Sequence, residues 1–492
     1  ATVTAEAGAE IAAAAAGDGA TLRLCPLRYS VEMGRWVHAA CLVGKWDPSA
    51  TVWQPEHWGP TALLIDGRTG EVFHKETISP LHMVSGVCRG WSLPITGPGV
   101  RRAHGADNGN LPEERLLPFV PLQFFQPARE RSSPRLTTPA GVFEFESAPE
   151  TLWGLKTHFD TIDFALVSVE GTQVVTGEAS GVGDASLELF LGPPPEDDLV
   201  GESLTGVITG WVYLYRALRF AEMLQERNFP WPIGFGGRQG YIRGLPAFYR
   251  IEFVRLPAVM GKQPWIAGAY FDAFPPRRLI GISEGNDLFH DWVNPAIWHE
   301  FGHAVVSAFT GQINDPPPNW HNLIAEELVA DFFALLMMEH SDPAGEIPYL
   351  IGQGLERGYP DSFQRNVRDG LACYPDPGTV VPCRPQGGFG LYPPESEPHE
   401  GSLVYSGFFY DLWVGLVERY GRERGFNRIA DTFVRYLDLH RGNHLHALNR
   451  YTILEVITIN DNPDLGGDCI PQNGSPDFDL VVDAAARHNL WL

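Results

Sequence analysis

At 492 residues the chain is long enough for about three domains, and its 44% apolar and 20% charged content is ordinary for a globular protein. A formal net charge of −24, from 60 acidic against 36 basic residues, argues against nucleic acid as a partner, because phosphate contacts need Lys and Arg. It favours an acid-rich surface outside the cell, and no apolar run approaches the roughly 18 residues that would span a membrane.

The chain opens at Ala1 without a basic stretch leading into an apolar one, so it reads as an already processed mature form or an intracellular protein. Residues 1–20 are rich in Ala and Gly, contain no Lys or Arg, and read as a tail or a poorly specified edge segment. From Thr21 to about Ser79 the runs are short and β-rich. Thr61-Ala62-Leu63-Leu64-Ile65, Asp66-Gly67 and Glu71-Val72-Phe73 together predict a hairpin. Residues 90–140 are crowded with Pro, Gly and Arg and read as long loops. A second β-rich block follows, with strand-like runs at Phe164–Val169, Thr172–Thr176 and Ser186–Leu191. Two small sandwich modules or one interrupted sandwich fit this region, as a pro-like domain or as a binding module.

Gly192 to Asp198 reads as a linker, and beyond it the apolar period changes from two to 3.6. Val207, Trp211, Leu214, Leu218, Ala221 and Leu224 mark one face of a long helix that ends near Asn228-Phe229-Pro230. Trp265 to Asp272 is strand-like, and Leu279-Ile280-Gly281-Ile282 is the next strand.

Trp298-His299-Glu300-Phe301-Gly302-His303 then carries His-Glu-x-x-His inside an apolar helical pattern. Residues four apart share a helix face, so His299 and His303 can grip one ion, with Glu300 beside them as general base. Zn2+ suits this pair, since a catalytic zinc takes three protein ligands and a water. The third ligand is expected from the apolar run Leu323–Leu336, where Glu327 and Asp331 stand four apart. Glu327 would bind the metal and Asp331 would hydrogen-bond a ligating imidazole, with Glu326 about a quarter-turn away.

Gly388 to Pro398 reads as loop, and His399-Glu400-Gly401 leads into a helix through Tyr405–Trp413 that closes at Gly421. His399 is the first candidate to donate to an oxyanion, with Tyr405 and Tyr410 behind it. Asp461, Asn462, Asp464 and Asp468 offer the oxygen ligands that Ca2+ takes, without EF-hand spacing. A last helix runs from about Asp477 to His488. The six cysteines show no Cys-x-x-Cys spacing and suggest disulfides in an oxidising compartment. Cys25–Cys41, Cys373–Cys383 and Cys88–Cys469 are the expected pairs.

His-Glu-x-x-His followed by Glu327-x-x-x-Asp331-Phe-Phe-Ala resembles the gluzincin metallopeptidases, the clan of thermolysin and the fungalysins. Over about residues 203–492 the order of elements is similar to that of the fungalysin-like enzymes. The resemblance implies that the strand at 265–272 lies at a sheet edge and receives an extended substrate backbone. The expected fold is α+β: β-rich, sandwich-like N-terminal modules (1–140 with long loops, then 141–192) precede a catalytic domain at 203–492. That domain would combine a sheet with a free edge and a mainly helical C-terminal part. The expected function is a secreted zinc endopeptidase acting on protein or peptide substrates. The alternatives are a zinc aminopeptidase and a non-catalytic surface protein that keeps the metallopeptidase scaffold.

Overall fold

Strands fill the N-terminal half of the chain and helices dominate the C-terminal half, as the change of apolar period near residue 200 predicts. In this computed structural model the described residues are those of the strands and helices named below. With them go 93–96, 117–120, 126, 134, 137–141, 158–161, 163, 177, 183–184, 342–349, 367–368, 421, 440, 476–477, 488–490 and positions 7, 10, 11 and 69.

The first five strands are β1 (Ala20–Leu24), β2 (Arg28–Ser30), β3 (Arg35–Lys45), β4 (Thr61–Asp66) and β5 (Val72–Thr77). They form an antiparallel sheet in the order β1-β3-β4-β5, with β2 on β3. The β4–β5 pair is the hairpin predicted from Asp66-Gly67. Next come β6 (His82–Ser92), β7 (Glu113–Leu116), β8 (Pro121–Phe125), β9 (Arg135–Leu136) and β10 (Val142–Ser147). They are followed by β11 (Leu152–Thr157), β12 (Phe164–Ser168), β13 (Glu178–Val182) and β14 (Ala185–Leu191). One sheet is ordered β10-β6-β14 with β7 on β6, and a second is ordered β13-β11-β8-β9.

The two sheets pack face to face. Along β10 exposed and buried residues alternate, so Phe143 and Phe145 point inward. Phe145 stacks on Phe124 of the other sheet at 5.0 Å, and Gln126 donates to Ser147 at 2.9 Å across the gap. A sandwich is expected here, but of its strands only β14 lies in a run the sequence marks; Phe164–Ser168 is β12 of another sheet, and Thr172–Thr176 lies outside the described residues. The expectation of long loops over 90–140 fails at β7, β8 and β9, which are held by pairing to β6, β11 and β8 respectively and not by their own composition. Cys88 is a fully buried free thiol on β6, so the expected Cys88–Cys469 bridge is not formed. The other cysteine pairings include residues outside the described ones, as do Asp461, Asn462, Asp464 and Asp468.

Helix α1 (Leu199–Asn228) is joined to the sandwich at several points. Trp211 donates its indole N–H to the Phe119 carbonyl, the Tyr213 hydroxyl donates to the Pro94 carbonyl, and Thr209 accepts from the Leu93 amide. After the hairpin β15–β16 (Gln239–Ile242, Leu245–Phe248) come β17 (Ile251–Leu256), the pair β18–β19 (Val259–Met260, Gln263–Pro264), β20 (Ala269–Asp272) and β21 (Arg278–Ser283). A mixed sheet is ordered β12-β17-β21-β20, with β12, β17 and β21 parallel. The antiparallel β20 lies at its edge, as expected for the second half of 265–272. Hydrogen bonding thus runs across residues 140 and 192, where the sequence reading divides the chain.

The remaining helices are α2 (Asn294–Thr310), α3 (Trp320–Ser341), α4 (Pro398–Tyr420), α5 (Arg422–Leu439), α6 (Tyr451–Asn460) and α7 (Phe478–Arg487), with a two-residue pairing of Leu350–Ile351 and Arg365–Asn366 between α3 and α4. Aromatic rings bind this layer together. Phe301 of α2 meets Phe333 of α3 at 5.6 Å, and Phe332 of α3 meets Phe409 of α4 and Phe433 of α5, each at 5.2 Å. No helix among the described residues is long and apolar enough to cross a membrane.

Candidate metal centre

Helix α2 starts on Asn294-Pro295, and a proline at the first turn costs no hydrogen bond. Its apolar side, with Ile297, Trp298, Phe301, Val305 and Ala308, is buried and fixes the helix against its neighbours. The Trp298 indole donates to the Tyr213 carbonyl of α1 at 3.2 Å, so the residue before His299 is anchored on both ring and N–H. Gly302, between the two histidines, allows α3 to come very close. A Cβ there would stand 2.6 Å from the Ala330 Cα.

That approach brings Glu327 to the histidines. The Nε2 atoms of His299 and His303 are 3.2 Å apart. The Glu327 carboxylate lies 3.2 Å from His299 Nε2 and 3.6 Å from His303 Nε2. The three possible donor atoms lie within 4.8 Å of one another. On its other nitrogen, His299 Nδ1 meets Asp331 Oδ1 at 2.8 Å, and Asp331 is fully buried. An Nδ1–H given to the carboxylate leaves a lone pair on Nε2, directed at the same point as the other donors. Two imidazole nitrogens and one carboxylate oxygen are a donor set that zinc accepts. The residues present therefore fit the ion.

Charge supports the same arrangement. Burial pushes the His303 imidazole down to about 4, against the pull of Glu327 that raises it, so the ring is neutral and able to ligate near pH 7. Burial, with repulsion from Glu327, pushes the Glu326 carboxyl up to about 7. Glu300 is 6% exposed beside His299.

Helix α4 closes over this group. It begins at Pro398, the last residue of the expected loop, so His399 occupies its first turn, in line with the expected lead-in at His399-Glu400-Gly401. His399 Nε2 lies 3.3 Å from Glu327 Oε1, and its side chain is 47% exposed. The structure thus brings His299, His303, Glu327, Asp331 and His399 together. Tyr405 and Tyr410 are buried at 3% and 4%, Tyr405 within the apolar core. Burial pushes the Tyr410 hydroxyl up to about 12, which keeps it protonated. Two positions escape the sequence reading: Gly302 as the contact point of two helices, and Ser402. Ser402 is fully buried, and its hydroxyl lies 3.4 Å from Asp331 Oδ2 and 2.8 Å from the His399 carbonyl. Its place one helical turn after His399 is the only signal in the sequence.

No protein-family model and no curated protein sequence matches the chain. Among solved structures it is similar to the precursor of protealysin, a metalloproteinase from Serratia proteamaculans. The identity is 12% and the TM-score 0.40, over 68% of this chain and 89% of that one.

Proposed function

We propose that this protein is a zinc-dependent peptidase that cleaves internal peptide bonds of protein or peptide substrates. From its acid-rich composition, we place its work outside the cell. One observation carries the reading: His299, His303 and Glu327 converge on one point while Asp331 orients His299 from behind. A zinc ion held there supplies Lewis acidity, lowering the pKa of a water to about 7.

The rest is the work of this chain's own side chains. Glu300, next to a ligand and not one itself, takes the proton of the attacking water and passes it to the leaving nitrogen. Asp331 keeps the His299 ring in the tautomer that ligates. His399, half-exposed beside Glu327, donates to the oxyanion that develops on the scissile carbonyl, with Tyr405, buried in the core, as the next candidate. Among the described residues β20 is the edge strand of its sheet, the position at which an extended substrate backbone could add by pairing. The opposing view, a metal-holding protein without turnover, has no need of a general base, the role that the position of Glu300 next to His299 suits.

The test is metal analysis coupled to digestion of an unfolded protein substrate. The expected result is about one zinc per chain, loss of digestion in chelator, and recovery with added zinc. Stoichiometric zinc without digestion would leave a metal site and remove the peptidase.

A further inference from the structure

The hydroxyl of Ser402 has one proton and two acceptors. It lies 2.8 Å from the carbonyl of His399 on its own helix and 3.4 Å from Oδ2 of Asp331 on α3. Asp331 is fully buried and uses its other oxygen, Oδ1, on His299. A buried carboxylate is expensive unless its oxygens have partners, so a hydroxyl at Oδ2 bears on how firmly Asp331 is held. The His399 carbonyl lies in the first turn of α4, the same turn that carries the His399 side chain. Ser402 therefore touches both the support of the metal-binding histidine and the support of the oxyanion donor.

We propose that Ser402 is a positioning residue that couples the two halves of the site. Through Asp331 it stiffens His299 for the metal, and through the His399 carbonyl it fixes the turn that carries His399. The inference rests on the zinc-peptidase reading for its second half only, because the first half concerns metal binding alone.

The experiment is a double-mutant cycle on the full chain, with Ser402→Ala, Asp331→Asn and the pair, read by competition for zinc against a chromogenic chelator. Ser402→Ala should weaken zinc binding roughly fivefold, the size of one ordinary hydrogen bond. Asp331→Asn should weaken it about 10–100-fold. In the Asp331→Asn background the Ser402→Ala loss should shrink towards nothing, since the route through Asp331 is already cut. Ser402→Thr keeps the hydroxyl and should bind zinc as the parent does. In hydrolysis assays Ser402→Ala should lower kcat with KM little changed, by way of His399. Equal fivefold losses in both backgrounds, or a folded Ser402→Thr as weak as Ser402→Ala, would overturn the coupling. Because the cycle is read on zinc, it stays decisive even if no peptide is cleaved.

Discussion

Glu327 lies against both His299 and His303, while Glu326 is turned about 100° from it around α3 and is partly buried. That single helical step gives the two carboxyls different chemistry. Burial first, then the Glu327 charge, raises Glu326 from its ordinary 4.5 to about 7, whereas burial lowers His303 from 6.5 to about 4. The signs oppose each other in linkage. Glu326 binds its proton more tightly in the fold, so its stabilisation is full below about pH 4.5 and is lost as pH rises through about 7. His303 resists its proton in the fold, so its stabilisation is full above about 6.5 and is lost as pH falls towards 4. In metal-free protein the two slopes offset one another between about 4.5 and 6.5. Glu326→Gln removes one of them. The melting temperature of the variant should fall relative to the parent on acidification from pH 7 to 4.5, and calorimetry on both proteins checks it. A difference that does not vary with pH would contradict the assignment.

At the scale of elements, the site depends on how closely α2 and α3 approach. A methyl group at position 302 would meet Ala330 backbone at 2.6 Å for Cα and 3.1 Å for the carbonyl oxygen. Helix propensity favours Gly302→Ala by about 1 kcal/mol, but backbone atoms cannot step aside without moving the helix. The steric term wins. Gly302→Ala should lower the melting temperature and weaken zinc binding at least about tenfold, the scale of a disturbed ligand support. Unchanged zinc titration and melting would show that the helices have room to spare. The helices themselves were legible from the apolar period: Val207 to Leu224 for α1, and the runs around His299 and Glu327 for α2 and α3. The short strands β7 and β8 were not. Glu113-Glu114-Arg115-Leu116 has no alternation, is largely exposed, and is a strand because β6 offers it an edge. The partner of Ser402 was hidden for a similar reason, since a contact between α3 and α4 depends on how two helices cross and not on either sequence alone.

On the scale of the whole molecule, the sandwich and helix α2 belong to one packed interior. From Pro94 in the sandwich the contacts run to Tyr213 of α1, and from the Tyr213 carbonyl to Trp298, the residue before His299. Strand β12, which follows the sandwich strand β11 in the chain, lies in the sheet whose edge is β20, and Phe164 on it meets Phe301 of α2 at 6.3 Å. Sequence patterning separated these regions because the period changes near residue 200, yet period reports local geometry and not which surfaces meet. Cys88 shows the same limit: cysteine number suggested a bridge, while the β6 alternation turns its thiol inward, where burial pushes it up to about 12. The His-Glu-x-x-His group was the most legible feature, because helical spacing alone places its histidines together.

The central claim, that this interior holds a working peptidase centre, is tested most directly by Glu300→Gln. Zinc content, melting temperature and digestion of an unfolded substrate should be measured side by side for parent and variant. The account predicts unchanged zinc and fold with digestion lowered by at least about 10²-fold, the contribution of a general base. A variant that keeps most of the parent's digestion, with zinc in place, would contradict it.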